Sequence, residues 1–299
     1  MAEEVSPAVA RRRLRLALRD ARERAGKTQQ EVAEQMEWSL SKVIRIEAGD
    51  NTIAPNDLRP LLLFIGIKDK ATVAELMAIA KIARQRQGAW YQKADIRPFL
   101  SDPMRRLFDY ESEATVVRFY YVNFVAGPLQ TPEYAAALIG RYEEEIDPAV
   151  VKARLKARQL RRQALLSRAA AGEIDIRALF DESVFMRTHG DPAILAAQLR
   201  ELEQLSLRGD IKLRMVPFDA NAAVTNNASF DLLTLPDAGE VLYRETGLRD
   251  ETVEDHSTTS RHRERYDLVW FEVAEEADTI DYIRKRIKKL EATNESREE

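Results

Sequence analysis

Two helix-start signals set close together constrain this chain more than any other feature. Thr28-Gln29-Gln30-Glu31 places a hydroxyl residue three positions ahead of a glutamate, the capping-box pattern in which each side chain satisfies the other's backbone N–H, and it opens a short helix through Gln35. A tight break must follow near Met36 to Trp38, because Ser39 caps a third helix that runs through Glu47 and stops at Ala48-Gly49. Two short helices joined by a turn of roughly three or four residues have helix-turn-helix spacing. The internal positions agree. Ala33 is small where the two helices cross, and Trp38, Val43 and Ile46 are apolar where the third helix must face a core. Ser39, Ser41, Lys42 and Arg45 are left on the outside, and short hydroxyls and cations on an exposed helix suit base edges and phosphates in a major groove.

The flanking segments complete a domain over residues 1–86. Ala10, Leu14, Ala17, Leu18, Ala21 and Ala25 recur at three-and-four spacing, with Gly26 as the stop. The other faces of that first helix carry Arg11, Arg12, Arg13, Arg15, Arg19, Arg22 and Arg24, of which a minority is expected to touch DNA. Pro55 to Ile65 and Ala71 to Arg86 read as a fourth and a fifth helix. Charge is divided along the chain: of 46 Lys+Arg and 50 Asp+Glu, 16 and 12 fall in residues 1–90, and 30 and 38 beyond them. A basic small domain joined to an acidic larger one is what a DNA-reading module with a non-DNA-binding companion would look like, since phosphate contact needs cations only where the duplex lies.

The segment TQQEVAEQMEWSLSKVIRIEAGD, Thr28 to Asp50, resembles the lambda-repressor-like, or XRE-type, helix-turn-helix. The resemblance implies double-stranded DNA as partner. Gln29, first in the second helix, would touch a phosphate; Ser39, Ser41 and Lys42 would read bases; Arg45 would support the backbone contacts. Glu37 departs from the pattern, standing where that family usually has Gly. A left-handed conformation costs a non-Gly residue roughly 1 kcal/mol or more, so the turn is expected to be altered or strained. Ile44 replaces the small polar residue expected on the exposed side, where it contacts a thymine methyl or simply packs.

Residues 87–105, with Gly88, Pro98 and Pro103, read as a linker or docking segment. In residues 106–299 a helical run is expected from Tyr110 to Phe119, then a turn at Gly127-Pro128, a helix from Pro132 to Arg141 and a long basic helix from Pro148 to Ala170. Ile174–Phe180, Ile211–Phe218, Ser229–Leu235 and Glu240–Tyr243 have strand character, with a helix over Pro192–Ser206, so the fold class is a mainly α five-helix lambda-repressor-like domain followed by an α+β domain with a small sheet. Ile280, Ile283, Ile287 and Leu290 mark a last helix that docks on the body or forms a dimer contact. The order of YESEA (Tyr110–Ala114), GPLQTPEYA (Gly127–Ala135), RLKARQLRRQ (Arg154–Gln163), LFDESVFMR (Leu179–Arg187), QLRELEQL (Gln198–Leu205) and VPF (Val216–Phe218) resembles the large C-terminal domain of actinobacterial XRE-type regulators of the WhiJ-like kind. That resemblance implies a small partner protein encoded nearby, in a toxin-antitoxin-like arrangement linked to development or specialised metabolism. Ala126 and Pro128 depart from its usual pattern.

Enzymatic signals are weak. Zero cysteines exclude thiolate zinc sites and a cysteine nucleophile, and there are only three histidines. Ser39 to Lys42 matches Ser-x-x-Lys inside the recognition helix, without the companion motifs of an acyl-transfer site. Glu254-Asp255-His256 and His262 lie in a stretch so charged that a solvated loop or helix face is the natural reading, and Asp181-Glu182 ends a strand. There is no phosphate-binding glycine loop. Asn227-Ala228-Ser229 and Asn294-Glu295-Ser296 match a glycosylation pattern without meaning for a chain of this kind. No enzyme activity, cofactor, metal or membrane contact is expected, and the chain is read as cytoplasmic, its N-terminus running into a charged helix. The first reading is a homodimeric regulator with half-sites about one helical turn apart, controlled through its C-terminal domain. The alternative is an antitoxin-like interaction protein with autoregulatory DNA binding.

Overall fold

The computed structural model describes residues 7–49, 51–84, 90–140, 147–220, 228–236, 239–245 and 250–298, with the side chains of 294–298 left aside. Two compact units divide the chain, Met1–Ala89 and Trp90–Glu299.

The described residues of the first unit form five helices: α1 (Pro7–Arg24), α2 (Gln29–Gln35), α3 (Leu40–Ala48), α4 (Pro55–Phe64) and α5 (Lys70–Ala83). They share one core in which Leu14 and Leu18 meet Val32, Val43, Ile46, Leu58, Leu62 and Ile79. The fifth helix starts just before the expected Ala71 because Asp69 caps it, accepting from the Thr72 N–H at 2.8 Å. Its expected end at Arg86 lies outside the described residues, as do Asp50 and, in the second unit, Arg141 and Asn227.

The second unit is built on a six-stranded mixed sheet, order β3-β2-β1-β4-β5-β6. The strands are β1 (Val116–Tyr121), β2 (Asp175–Asp181), β3 (Lys212–Val216), β4 (Phe230–Thr234), β5 (Glu240–Glu245) and β6 (Asp250–Val253). β1, β2 and β3 run parallel, while β4, β5 and β6 follow as an antiparallel meander. Parallel neighbours need long crossovers, supplied by α7 (Pro132–Gly140) and α8 (Pro148–Ala170) before β2, and by α9 (Glu182–Met186) and α10 (Pro192–Leu207) before β3. The α+β class with a sheet is therefore what the chain adopts.

One local reading is corrected. The run Tyr110 to Phe119 is not one helix: α6 (Asp102–Glu111) ends at its start and β1 follows. β1 lies in the middle of the sheet and is buried on both faces, so VVRFYY shows no alternation to mark it as a strand. The polar edge strand β6 was not expected at all. Of the two readings of the charged stretch, loop or helix face, the helix holds beyond β6: α11 (His256–Glu272) turns charged residues outward while its Tyr266, Val269 and Trp270 cover one face of the sheet against Tyr120, Leu179 and Phe230.

The segment expected as a linker or docking segment belongs, from Trp90 onward, to the second unit. Tyr91, Ile96 and Leu100 are buried, the Trp90 ring lies 5.0 Å from Phe108 of α6, and the Tyr91 hydroxyl donates to Asp109. The last helix, α12 (Glu276–Glu298), buries Ile280, Ile283, Ile287 and Leu290 and packs on α10 and β3. Arg284 Nε reaches Glu203 Oε1 at 2.7 Å, and Thr279 Oγ1 accepts the Met215 N–H of β3 at 3.1 Å. No helix among the described residues is long and apolar enough to cross a membrane.

The face of the sheet opposite α11 carries a buried ion cluster. Arg161 of α8 donates from Nε to both oxygens of Glu111 (3.0 and 2.9 Å) and from a terminal nitrogen to Asp231 at 2.9 Å, while the Tyr121 hydroxyl donates to Asp231 at 2.8 Å. Burial works against the guanidinium charge, but the two carboxylates outweigh it and hold the Arg161 pKa above its ordinary value.

Candidate nucleic-acid interface

The helix-turn-helix is assembled from local bonds. Thr28 Oγ1 accepts the Glu31 N–H at 3.1 Å and Glu31 Oε2 accepts the Thr28 N–H at 2.7 Å, closing the capping box at the start of α2. The Thr28 N–H, followed by its hydroxyl, holds the Glu31 carboxyl below its ordinary pKa. Ser39 has extended backbone and its Oγ accepts the Lys42 N–H at 3.3 Å, capping α3.

Between these caps the turn is a Schellman motif: Trp38 N–H bonds to Ala33 O at 2.8 Å and Glu37 N–H to Glu34 O at 3.2 Å. Glu37 sits in the left-handed region at φ 54°, alone among the described non-glycine residues. The ends of α1 and α4 make the same pair of bonds, there with Gly26 and Gly66 at the left-handed position. The turn thus keeps the geometry of a glycine turn and forces a glutamate into it.

A charged clamp then fixes α3 against the body. Arg22 of α1 holds both oxygens of Glu47, Nε to Oε1 at 2.6 Å and a terminal nitrogen to Oε2 at 3.0 Å, with the two side chains only 11% and 9% exposed. The Glu47 hydrogen bond, assisted by its charge, raises the Arg22 pKa against desolvation. Gln29 Nε2 joins at 2.8 Å from Glu47 Oε2. Arg22 and Glu47 were not foreseen as a pair, because seven arginines on α1 offer no basis in sequence for choosing one.

The five candidate residues fall into two groups. Ser39, Ser41 and Arg45 are exposed along the outer face of α3, the two hydroxyls 3.2 Å apart, with Arg45 folded over Ser41 (Nε to the backbone oxygen 3.2 Å). Gln29 and Lys42 are half-buried and engaged elsewhere in the unit: Gln29 with Glu47, and Lys42 with Asp57 Oδ2 of α4 at 3.2 Å and the Trp38 ring, 3.8 Å from its centroid. The Lys42–Asp57 pair is more than a third exposed on each side, so exchanging Asp57 for a phosphate costs little. Leu40 was also missed as a candidate. It is 40% exposed, in line with Ile44 at 44%.

Residues 13–76 match the model of a helix-turn-helix domain, and residues 104–285, more than half of the chain, match a family described as a domain of unknown function, DUF5753. No curated protein and no solved structure matches the chain. The first match covers the caps, the turn and the clamp and identifies this unit as the DNA-binding helix-turn-helix domain of a regulator. The chain therefore belongs to the DUF5753 family, and its DUF5753 domain follows a helix-turn-helix domain.

Proposed function

We propose that the protein is a sequence-specific transcriptional regulator that binds double-stranded DNA as a homodimer and lays α3 in the major groove. The observation that carries this reading is the outer face of α3: Ser39, Ser41 and Arg45 are exposed together on a helix held at its far end by the buried Arg22–Glu47 pair. The second unit then serves dimerisation and partner control, not catalysis. The carboxylates that stand out in its sequence support this, since each holds the fold. Asp181 caps α9, Glu182 accepts from Phe218 N–H and the Tyr282 hydroxyl, and Glu254 accepts from the Tyr110 hydroxyl.

The test is binding of the purified full chain to its own upstream DNA across a salt series, beside Ser41→Ala and Lys42→Ala. The reading predicts a near-palindromic protected site, affinity that falls steeply with salt, and variants that weaken that site more than random DNA. Binding no stronger than non-specific background at low salt would sink it. In that case the antitoxin-like reading takes its place, supported by the WhiJ-like resemblance and by an uncovered apolar pair on α11, Leu268 and Phe271, 54% and 76% exposed. A purified small neighbour protein that alters DNA affinity would join the two readings.

A further inference from the structure

We infer that α3 reads the 5-methyl groups of pyrimidines in the major groove, with Leu40 and Ile44 as the residues that set this preference; the inference rests on the DNA-binding reading of the same helix. Both are large, branched and aliphatic, yet they stand 40% and 44% exposed. The core does not need them, because Val43 and Ile46 on the inner side of α3 are 3% and 5% exposed and already fill it. They lie one turn apart on the outer face, next to the stripe of Ser41 and Arg45. The charged heads beside them are engaged: Lys42 with Asp57 and Trp38, Arg45 with Ser41. Leu40 and Ile44 are therefore the large apolar side chains that α3 leaves exposed beside this stripe.

Only one feature of a base edge in the major groove is apolar, the C5-methyl group of thymine, and 5-methylcytosine presents the same group. Against guanine, adenine or unmethylated cytosine, the same side chains would cover donors and acceptors without replacing their hydrogen bonds with water. Four residues of helix rise about 6 Å, and successive base pairs about 3.4 Å. Leu40 and Ile44 therefore meet methyl groups about two base steps apart in each half-site.

The experiment starts from duplexes selected out of a random pool by the full-length protein. Each thymine of the selected half-site is replaced in turn by deoxyuridine, which removes the methyl group alone. Two positions should each lose about fourfold in affinity, the value of one buried methyl group. Leu40→Ala should abolish the sensitivity at one position and Ile44→Ala at the other. Both side chains are exposed, so circular dichroism and melting temperature of these variants should match the parent. At the same two positions, 5-methylcytosine should bind about fourfold better than cytosine. If it outcompetes thymine there, methylated cytosine is the source of the methyl group; if thymine wins, ordinary thymine is. Selective binding with no uracil-sensitive position, or with sensitivity that persists in both alanine variants, overturns the methyl reading and leaves the DNA reading standing. Failure to select any sequence overturns both.

Discussion

Glu37→Gly should stabilise the first unit, and the amount can be worked from the backbone. At φ 54° a side chain with a Cβ costs roughly 1–2 kcal/mol. Glycine removes that cost but loses about 0.5–1 kcal/mol more conformational entropy on folding. At mid-range the difference is a gain of about 0.5–1 kcal/mol. The hydrogen bonds of the turn come from backbone groups, Glu37 N–H to Glu34 and Trp38 N–H to Ala33, so the substitution leaves them in place. The Glu37 side chain is exposed, so no packing is lost. For a domain of this size the melting transition of the first unit should rise by about 2–8 °C in calorimetry of the full chain. Amide exchange of peptides covering α2 and α3 should slow by about two- to fivefold. Glu37→Gln isolates the charge and should move stability by less than about 0.5 kcal/mol. Glu37→Asn should fall between Glu and Gly, and Glu37→Val should lie below all of them, since a β-branched residue fits the left-handed region worst. A loss of stability in the glycine variant, or a valine variant equal to the parent, would refute the argument that this turn is strained.

Arg161→Met leaves Glu111 and Asp231 buried without their cation and should cost about 3–5 kcal/mol in urea unfolding of the second unit; adding Glu111→Gln and Asp231→Asn should recover part of it. Glu47→Ala removes the acceptor for Arg22 and Gln29 and should cost about 1.5–3 kcal/mol, with a loss of DNA affinity larger than that of an exposed charge on α3; unchanged binding would show that the clamp does not position the helix. The Glu31 carboxyl has a folded pKa below its unfolded value, so its contribution is present in full above about pH 4.3 and is lost as pH falls through the lower folded value. The stability gap between the parent and Glu31→Gln should therefore close on acidification below about pH 4, as read by circular dichroism melts. Thr279→Val strands the Met215 N–H and should destabilise the second unit by about 1–3 kcal/mol.

The parts that could be read from sequence are those in which side chain and backbone meet within a few residues. Thr28, Glu31 and Ser39 announce their helices because a cap is a local bond, and the outward placement of Ser41 and Arg45 follows from helical period alone. Glu37 could be singled out in the same way, since a left-handed residue in a tight turn is a local demand. Long-range partners could not be read. Gln29 looks like a free amide until Glu47 is brought to it across the turn, and Lys42 looks free until α4 presents Asp57. β1 was hidden because a strand covered on both faces carries no period of two, and α11 could not be told from a solvated loop because its few buried residues sit among many charges. Tyr91, Ile96 and Leu100 gave no periodic signal either, being spaced for irregular turns and not for a helix or strand.

Both borders of the six-stranded sheet carry features that oppose pairing with further strands. At one border Thr279 of α12 takes up the outward N–H of Met215; at the other, β6 is only four residues long and presents Asp250 and Glu251. A free strand edge is a template for another chain, and covering it or placing charge on it prevents such pairing. A protein shortened to end before α12 would expose the β3 ladder together with the apolar surface that Ile280, Ile283 and Ile287 now cover. Its failure would take the form of intermolecular β-aggregation and inclusion bodies, so fusion tags and boundaries for the isolated second unit should be placed beyond α12.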